Sequence, residues 1–363
     1  MPLHPDRIPG LRLAAQGIAR PTAKSPEQVV TRLGALQAQD HPGALWSIGL
    51  RMVNATRTEV ERAIAERTIV RTWPMRGTLH FVSAADAGWM LDLLASRVMR
   101  GAAGRYRQLE LDDATFRRIR TVTRRAHSHT PMMTRSTLFA AINAAGVSTA
   151  GQRGIHLIRH LCMEGLLCQG PHAEKEPTFV LMEDWVRESR TVSRDEALQL
   201  LAERYFTSHG PASVRDFANW TGLPLTDART ALQLAKPSLA SIERSGDELW
   251  MSSALDELTE QSHSVHLLPG FDEYLLGYRD RSAVLEAGHM ERIVPGGNGV
   301  FQATLVVDGM VRGTWRRSIR GGAMRLGVTP FVRLSAAMKK ATAAAAHRYA
   351  AFLGIPVVVE WTS

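Results

Sequence analysis

Gln37 and Gln39, with only Ala38 between them, are two neutral amides at i and i+2. Each offers donors and an acceptor, so together they can hold a small polar molecule, but neither is a strong acid or base. The plainer reading is a pair of solvent-facing glutamines at a helix end, and residue type alone leaves both open. Other chemistries fail on spacing. His156 and His160 stand four apart near Cys162 and Cys168, yet no Glu follows His156 and the cysteines lack a Cys-x-x-Cys spacing, so no metal is expected. His127-Ser128-His129 reads as a polar loop. The glycine-rich 295–299 stretch has no following Lys-Ser/Thr, so it is a turn and no nucleotide or other cofactor is expected. Schiff-base chemistry needs an amine, and Lys24 is the only lysine before Lys175.

The charge points to a polyanion. Of 363 residues, 44 are Lys or Arg and 35 Asp or Glu, a formal charge of +9, and only five of the 44 are lysine. Arginine forks onto phosphate and guanine better than lysine does. The same bias accompanies GC-rich coding, so charge alone does not choose. Hydrophobic residues at 45% exclude a disordered chain. Two cysteines are too few for a disulfide framework, residues 1–6 lack an apolar signal core, and the longest apolar runs are too short for a bilayer. A cytoplasmic, nucleoid-associated protein away from membranes is the expectation.

The elements that must position these residues recur three times. Ser25-Pro26-Glu27 starts a helix whose Val29, Val30, Leu33 and Leu36 keep helical spacing; it is expected to run into 37–40 and stop by His41-Pro42-Gly43. A helix over 57–67 then precedes β-rich runs at 69–73 and 77–82, a hairpin around Pro74-Met75-Arg76. The second copy has helices over 112–126, 134–146 and 149–165, with strands at 166–168 and 178–181. The third has helices over 193–206, 214–220 and 226–234, and a hairpin of 239–244 and 248–251 turning at Ser245-Gly246-Asp247. Helix, short turn, helix, hairpin is the outline of a winged helix. From His266 the texture becomes strands, with Asp308-Gly309 turning a hairpin of 300–307 and 310–317, a helix over 333–353 and a last strand at 356–361. The expected class is α+β. Winged helix 1, with the glutamines and a connecting helix, covers 1–110; the second covers 111–190, the third 191–262, and a β-rich domain 263–363.

Four landmarks resemble one family. Gln37-Ala38-Gln39 looks like the catalytic Gln-apolar-Gln motif of the AlkZ-like DNA glycosylases. Trp73-Pro74-Met75-Arg76-Gly77-Thr78-Leu79-His80 is similar to their Arg-Gly-Thr-Leu-His wing. The run from Leu267-Leu268-Pro269-Gly270-Phe271-Asp272-Glu273-Tyr274 to Arg279-Asp280-Arg281 resembles the segment entering their C-terminal domain, and Gly313-Thr314-Trp315-Arg316-Arg317 their late hairpin. They fall in the family's order and span most of the chain. The resemblance implies three tandem winged helices in a C shape, braced by a β-barrel-like domain, with the glutamines facing the DNA channel. It implies hydrolysis of the N-glycosidic bond of N7-alkylated purines in double-stranded DNA, guanine or adenine. One group of members unhooks interstrand crosslinks for antibiotic producers; the other, YcaQ-like, carries Gln-apolar-Asp. With glutamine at both positions, this sequence sides with the first.

Alkylation at N7 makes the purine cationic, so it departs without a general acid, unlike the aglycone in glycoside hydrolysis. Gln37 and Gln39 would then hold the attacking water. The scarcity of lysine implies a monofunctional enzyme that leaves an abasic site. Arg71, Arg76 and His80 on the first wing, Arg153 and Arg159 on the second recognition helix, and Arg316 and Arg317 on the late hairpin are the expected DNA contacts. The rival reading is a non-catalytic winged-helix regulator. Regulators usually pair one recognition helix per subunit in symmetric dimers, whereas three unlike modules in one chain suit a monomer.

Overall fold

The structure, a computed structural model, describes residues 7–244, 246–257 and 264–361. Residues 1–6, the Ser245 position of the third turn and the 262/263 boundary lie outside the described residues. Two compact units make up the chain, Met1–Val60 with Leu198–Ser363, and Glu61–Ala197.

In the Glu61–Ala197 unit, short antiparallel strands run in the order His80–Ser83, Ile69–Thr72, Leu167–Gln169, Thr178–Leu181, Met132–Thr134. The first four are buried along their whole length rather than alternating, because helices cover the sheet. Ala84–Gly101 and Ala103–Gln108 follow the first hairpin. Asp112 caps Asp113–His129 by accepting from Thr115 N at 2.7 Å, and Thr134 caps Arg135–Ala144. Arg153–Met163 begins later than its periodicity suggests, because Asn143 holds Thr149 through backbone and side chain at 2.9 and 2.7 Å. The side chains of Asn and Thr compete here with helix formation.

In the other unit, the first segment departs from the sequence reading. Pro26–Leu33 ends at Gly34, whose φ of 79° lies in the left-handed region. Leu36–Gln37 is extended, so the glutamines do not end a helix. His41-Pro42-Gly43 starts the next helix, His41–Leu50, rather than stopping one. Proline in a first helical turn loses no intrahelical bond, which is why the same residues serve as a start. Further on, Ser213 and Asp216 form a reciprocal capping box on Val214–Thr221; Gly222, at φ 75°, turns the chain into Leu225–Ala235, and Leu239–Arg244 pairs with Asp247–Ser252.

The C-terminal sheet is open, which corrects the barrel-like expectation. Its strands run in the order Val357–Trp361, Ala323–Pro330, Met310–Arg320, Thr304–Val307, Val265–Leu268. Ala323–Pro330 and Val357–Trp361 are parallel, joined across the sheet by Ala336–Leu353. That crossover leaves the last strand at one edge and Val265–Leu268 at the other, so the described strands do not close. The 300–307 strand begins only at Thr304. Against this domain the His41–Leu50 helix is fixed: Trp46 Nε1 donates to Leu267 O at 2.8 Å, and a Cβ on Gly49 would stand 2.4 Å from the Phe352 ring.

In the Glu61–Ala197 unit, Glu164 ties two helices together, accepting from Arg120 Nε at 2.8 Å and from His160 Nε2 at 2.9 Å. Burial alone would raise its pKa, but the bonds from Arg120 and His160 prevail and bring it to about 2. A carboxyl depressed on folding stabilises above its unfolded value of 4.5 and loses that contribution as pH falls towards 2. Glu164→Gln is therefore expected to cost about 1–2 kcal/mol in urea denaturation at pH 7. The gap between variant and parent should shrink below pH 4.5 and close near pH 2; a gap independent of pH contradicts this assignment.

Candidate active site

Gln37 is held by its backbone. Its amide donates to Glu273 Oε1 at 2.8 Å, and Trp220 Nε1 donates to Glu273 Oε2 at 2.9 Å. Glu273 has no exposure, and Gln37 retains 8%. His209 Nε2 lies 3.6 Å from the same Oε2, beyond hydrogen-bond reach, while its Nδ1 is 2.8 Å from Ser208 Oγ. Burial lowers the His209 pKa, against the raising influence of Glu273, which favours the neutral ring. Two residues on, Gln39 is exposed. The pair thus combines a fixed, nearly buried member with one that reaches solvent.

The 272–278 segment anchors this arrangement, each polar group binding a different part of the unit. Asp272 accepts both Arg51 Nη groups at 2.8 and 2.9 Å and Ser47 Oγ at 2.5 Å, fixing the helix that follows the glutamines. Arg51 donates onward to Gln16 Oε1 at 2.7 Å. Tyr274 OH donates to Gly309 O at 2.6 Å, Tyr278 OH to His209 O at 2.7 Å, and Tyr205 OH to Gly277 O at 2.6 Å. Phe271, which enters the segment, holds φ 62°, an uncommon value for a bulky side chain. Sequence reasoning gave Asp272 and Glu273 no role of their own. The available signal was two adjacent carboxylates inside the apolar run Leu267 to Tyr278, since buried charges persist only where they are paired or hydrogen-bonded.

The arginines separate by what they touch. Arg71 is only 6% exposed and donates to Gln169 Oε1 at 2.7 Å within the sheet. Arg153 grips the carbonyls of Ser148 at 3.0 Å and Leu109, closing the turn before its own helix. Both hold the fold together. His80 is buried; its Nδ1 sits 2.9 Å from Thr78 O and so carries the proton, leaving Nε2 to accept from Arg76 Nη2 at 3.3 Å. Arg76 and Arg159 are half-buried and Arg316 is exposed. Arg317 lies 5.4 Å above the Tyr349 ring; burial lowers its pKa, Asp40 opposes that, and Arg57 adds to it. Asp40 follows Gln39 directly, so the late hairpin and the glutamine segment share one electrostatic neighbourhood. Among the described residues, no three His, Cys, Asp or Glu gather as a metal site, and no helix is long and apolar enough to cross a membrane.

Glu273→Gln keeps the shape but turns one acceptor into a donor facing either Gln37 N or Trp220 Nε1. It is expected to lower the unfolding free energy by about 1–3 kcal/mol in urea. Unchanged stability contradicts the described bonding.

Comparison with known proteins agrees with this architecture. The profile of a family described as DNA glycosylase AlkZ-like matches residues 30–352. Among curated proteins, the chain is similar to the interstrand DNA cross-link repair glycosylase of Streptomyces sahachiroi, 27% identical over 330 residues, which are 84% of this chain and 85% of that protein. Among solved structures, it is similar to Streptomyces sahachiroi DNA glycosylase AlkZ, with a TM-score of 0.76 and 25% identity over 99% of this chain and 100% of that one. A match over most of the length to a family of enzymes decides against the non-catalytic regulator. The chain belongs to the AlkZ-like family of DNA glycosylases.

Proposed function

We propose that this glycosylase hydrolyses the N-glycosidic bond of cationic N7-alkylated purines in double-stranded DNA, bulky adducts and interstrand crosslinks included. The similar Streptomyces protein is named for cross-link repair, and glutamine at both motif positions favours the same class of lesion here. The observation that carries the reading is the backbone anchoring of Gln37 to a fully buried carboxylate, with Gln39 exposed beside it. A water held by the side-chain amides of one residue with a fixed backbone and one that reaches solvent stands ready for C1′ as the charged purine departs. The base needs no proton, so a pair without acid strength suffices. Water is the nucleophile, and the product is an abasic site with the strand intact.

DNA would be held by Arg76 with His80 behind it, and by Arg159, Arg316 and Arg317. Arg71 and Arg153 act by holding the hairpin and turn in place. The helix–turn–helix–hairpin order supports assignment of winged helices over 1–110, 111–190 and 191–262, with 263–363 as the bracing domain. The enzyme works as a monomer in the cytoplasm, at the nucleoid.

Single-turnover release of N7-methylguanine from a defined duplex tests the pair. Gln37→Ala and Gln39→Ala are each expected to slow base release about 100-fold or more, with duplex affinity within a few-fold of the parent. Release at the parental rate by either variant removes that residue from the chemistry.

A further inference from the structure

Arg159, on the Arg153–Met163 helix of the Glu61–Ala197 unit, brings positive charge to the turn of its first hairpin. The Arg159 guanidinium lies against Gly77: a Cβ there would stand 2.3 Å from Nη2 and 3.0 Å from Cζ. Gly77 also holds φ 73°, so the turn itself calls for glycine. On the same helix His156 meets the Tyr106 ring edge-on at 6.2 Å. His156 stands one helical turn after Gln152, the side chain that Arg105 reaches, and its pKa is lowered by burial and then by Arg159 and Arg105. Arg105, from Ala103–Gln108, donates to neutral amide oxygens, Gln152 Oε1 at 2.6 Å and Gln108 Oε1 at 2.9 Å.

Among the described residues none of these three is paired with a carboxylate. Glu164, one turn beyond His160, is occupied by Arg120 and His160. Arg159 Nε and His156 Nδ1 are buried and make no hydrogen bond. The two arginines, without a counter-charge, repel one another, and an anion placed between them removes that cost, with the neutral His156 ring as a further donor. Planar guanidinium forks select phosphate over a halide or a monodentate acid.

Resting on the reading of the chain as a DNA-acting enzyme, we propose that Arg159, which lies beside Gly77, binds one backbone phosphate of duplex DNA together with Arg105 and His156 from the same face of the unit. Such a contact carries no sequence information but fixes position. It would set the duplex against the hairpin that bears Arg76 and His80.

The test is affinity for an undamaged duplex as a function of salt, which does not depend on base release. In Arg105→Gln/Arg159→Gln the slope of log K against log salt is expected to fall by about one, because one phosphate is lost rather than two. His156→Gln, which leaves both arginines, is expected to weaken binding about threefold to tenfold at fixed salt. A folded double variant with the parental slope overturns the proposal. So does stabilisation of the parent alone by inorganic phosphate with that slope unchanged, which would assign the cluster to a free anion. Loss of slope in the variant, with a parent that releases no base, would count against the proposed lesion chemistry and leave the phosphate cluster standing.

Discussion

A carboxylate without solvent exposure organises the segment on which the proposed chemistry rests. Glu273 offers one oxygen to the Gln37 amide and the other to the Trp220 indole, and a buried charge of this kind is tolerated only while such donors surround it. The energetic demand of that carboxylate and the placement of Gln37 are therefore one problem with one solution. Removing the donors strands a charge, and removing the charge releases the strand. Asp272 repeats the principle next door, binding Arg51 and Ser47 on the helix that begins three residues after Ala38. Both sides of the glutamine segment are thus fixed by consecutive residues of one turn.

This arrangement gives the C-terminal sheet a purpose beyond bulk. Trp46 and Trp315 each donate to successive carbonyls, Leu267 and Leu268, of the strand that leads into the acidic turn. Helix His41–Leu50 packs Trp46 against Tyr349 and Phe352 of the crossover helix. The rigidity that the proposed role of the glutamines calls for comes from helices and a sheet rather than from the extended segment that carries them.

Much of this was legible in the sequence, and the failures have physical reasons. Capping residues such as Ser25, Thr134 and Ser213, and the Asp308-Gly309 turn, act locally, so they announced their elements directly. The end of the Pro26–Leu33 helix was misplaced because Leu36 continues the apolar spacing; Gly34 ends the helix, and Pro42 serves as a helix start. The openness of the sheet could not be read, because it depends on a parallel pairing between Ala323–Pro330 and a strand beyond an 18-residue helix. Among the arginines, composition pointed to DNA but could not separate Arg71 and Arg153, which hold carbonyl and amide oxygens, from Arg316, which is exposed. Glu273 escaped notice for the same reason: its partners lie 53 and 236 residues away along the chain.

The anchoring of Gln37 is open to direct observation by amide hydrogen exchange resolved at single residues. The Gln37 amide, bonded to a buried carboxylate, should exchange among the slowest in its unit. Exchange of the Gln37 amide at a fast rate, close to that of an unprotected amide, would show that the carboxylate does not hold the strand, and the account of a pre-positioned glutamine pair would be wrong.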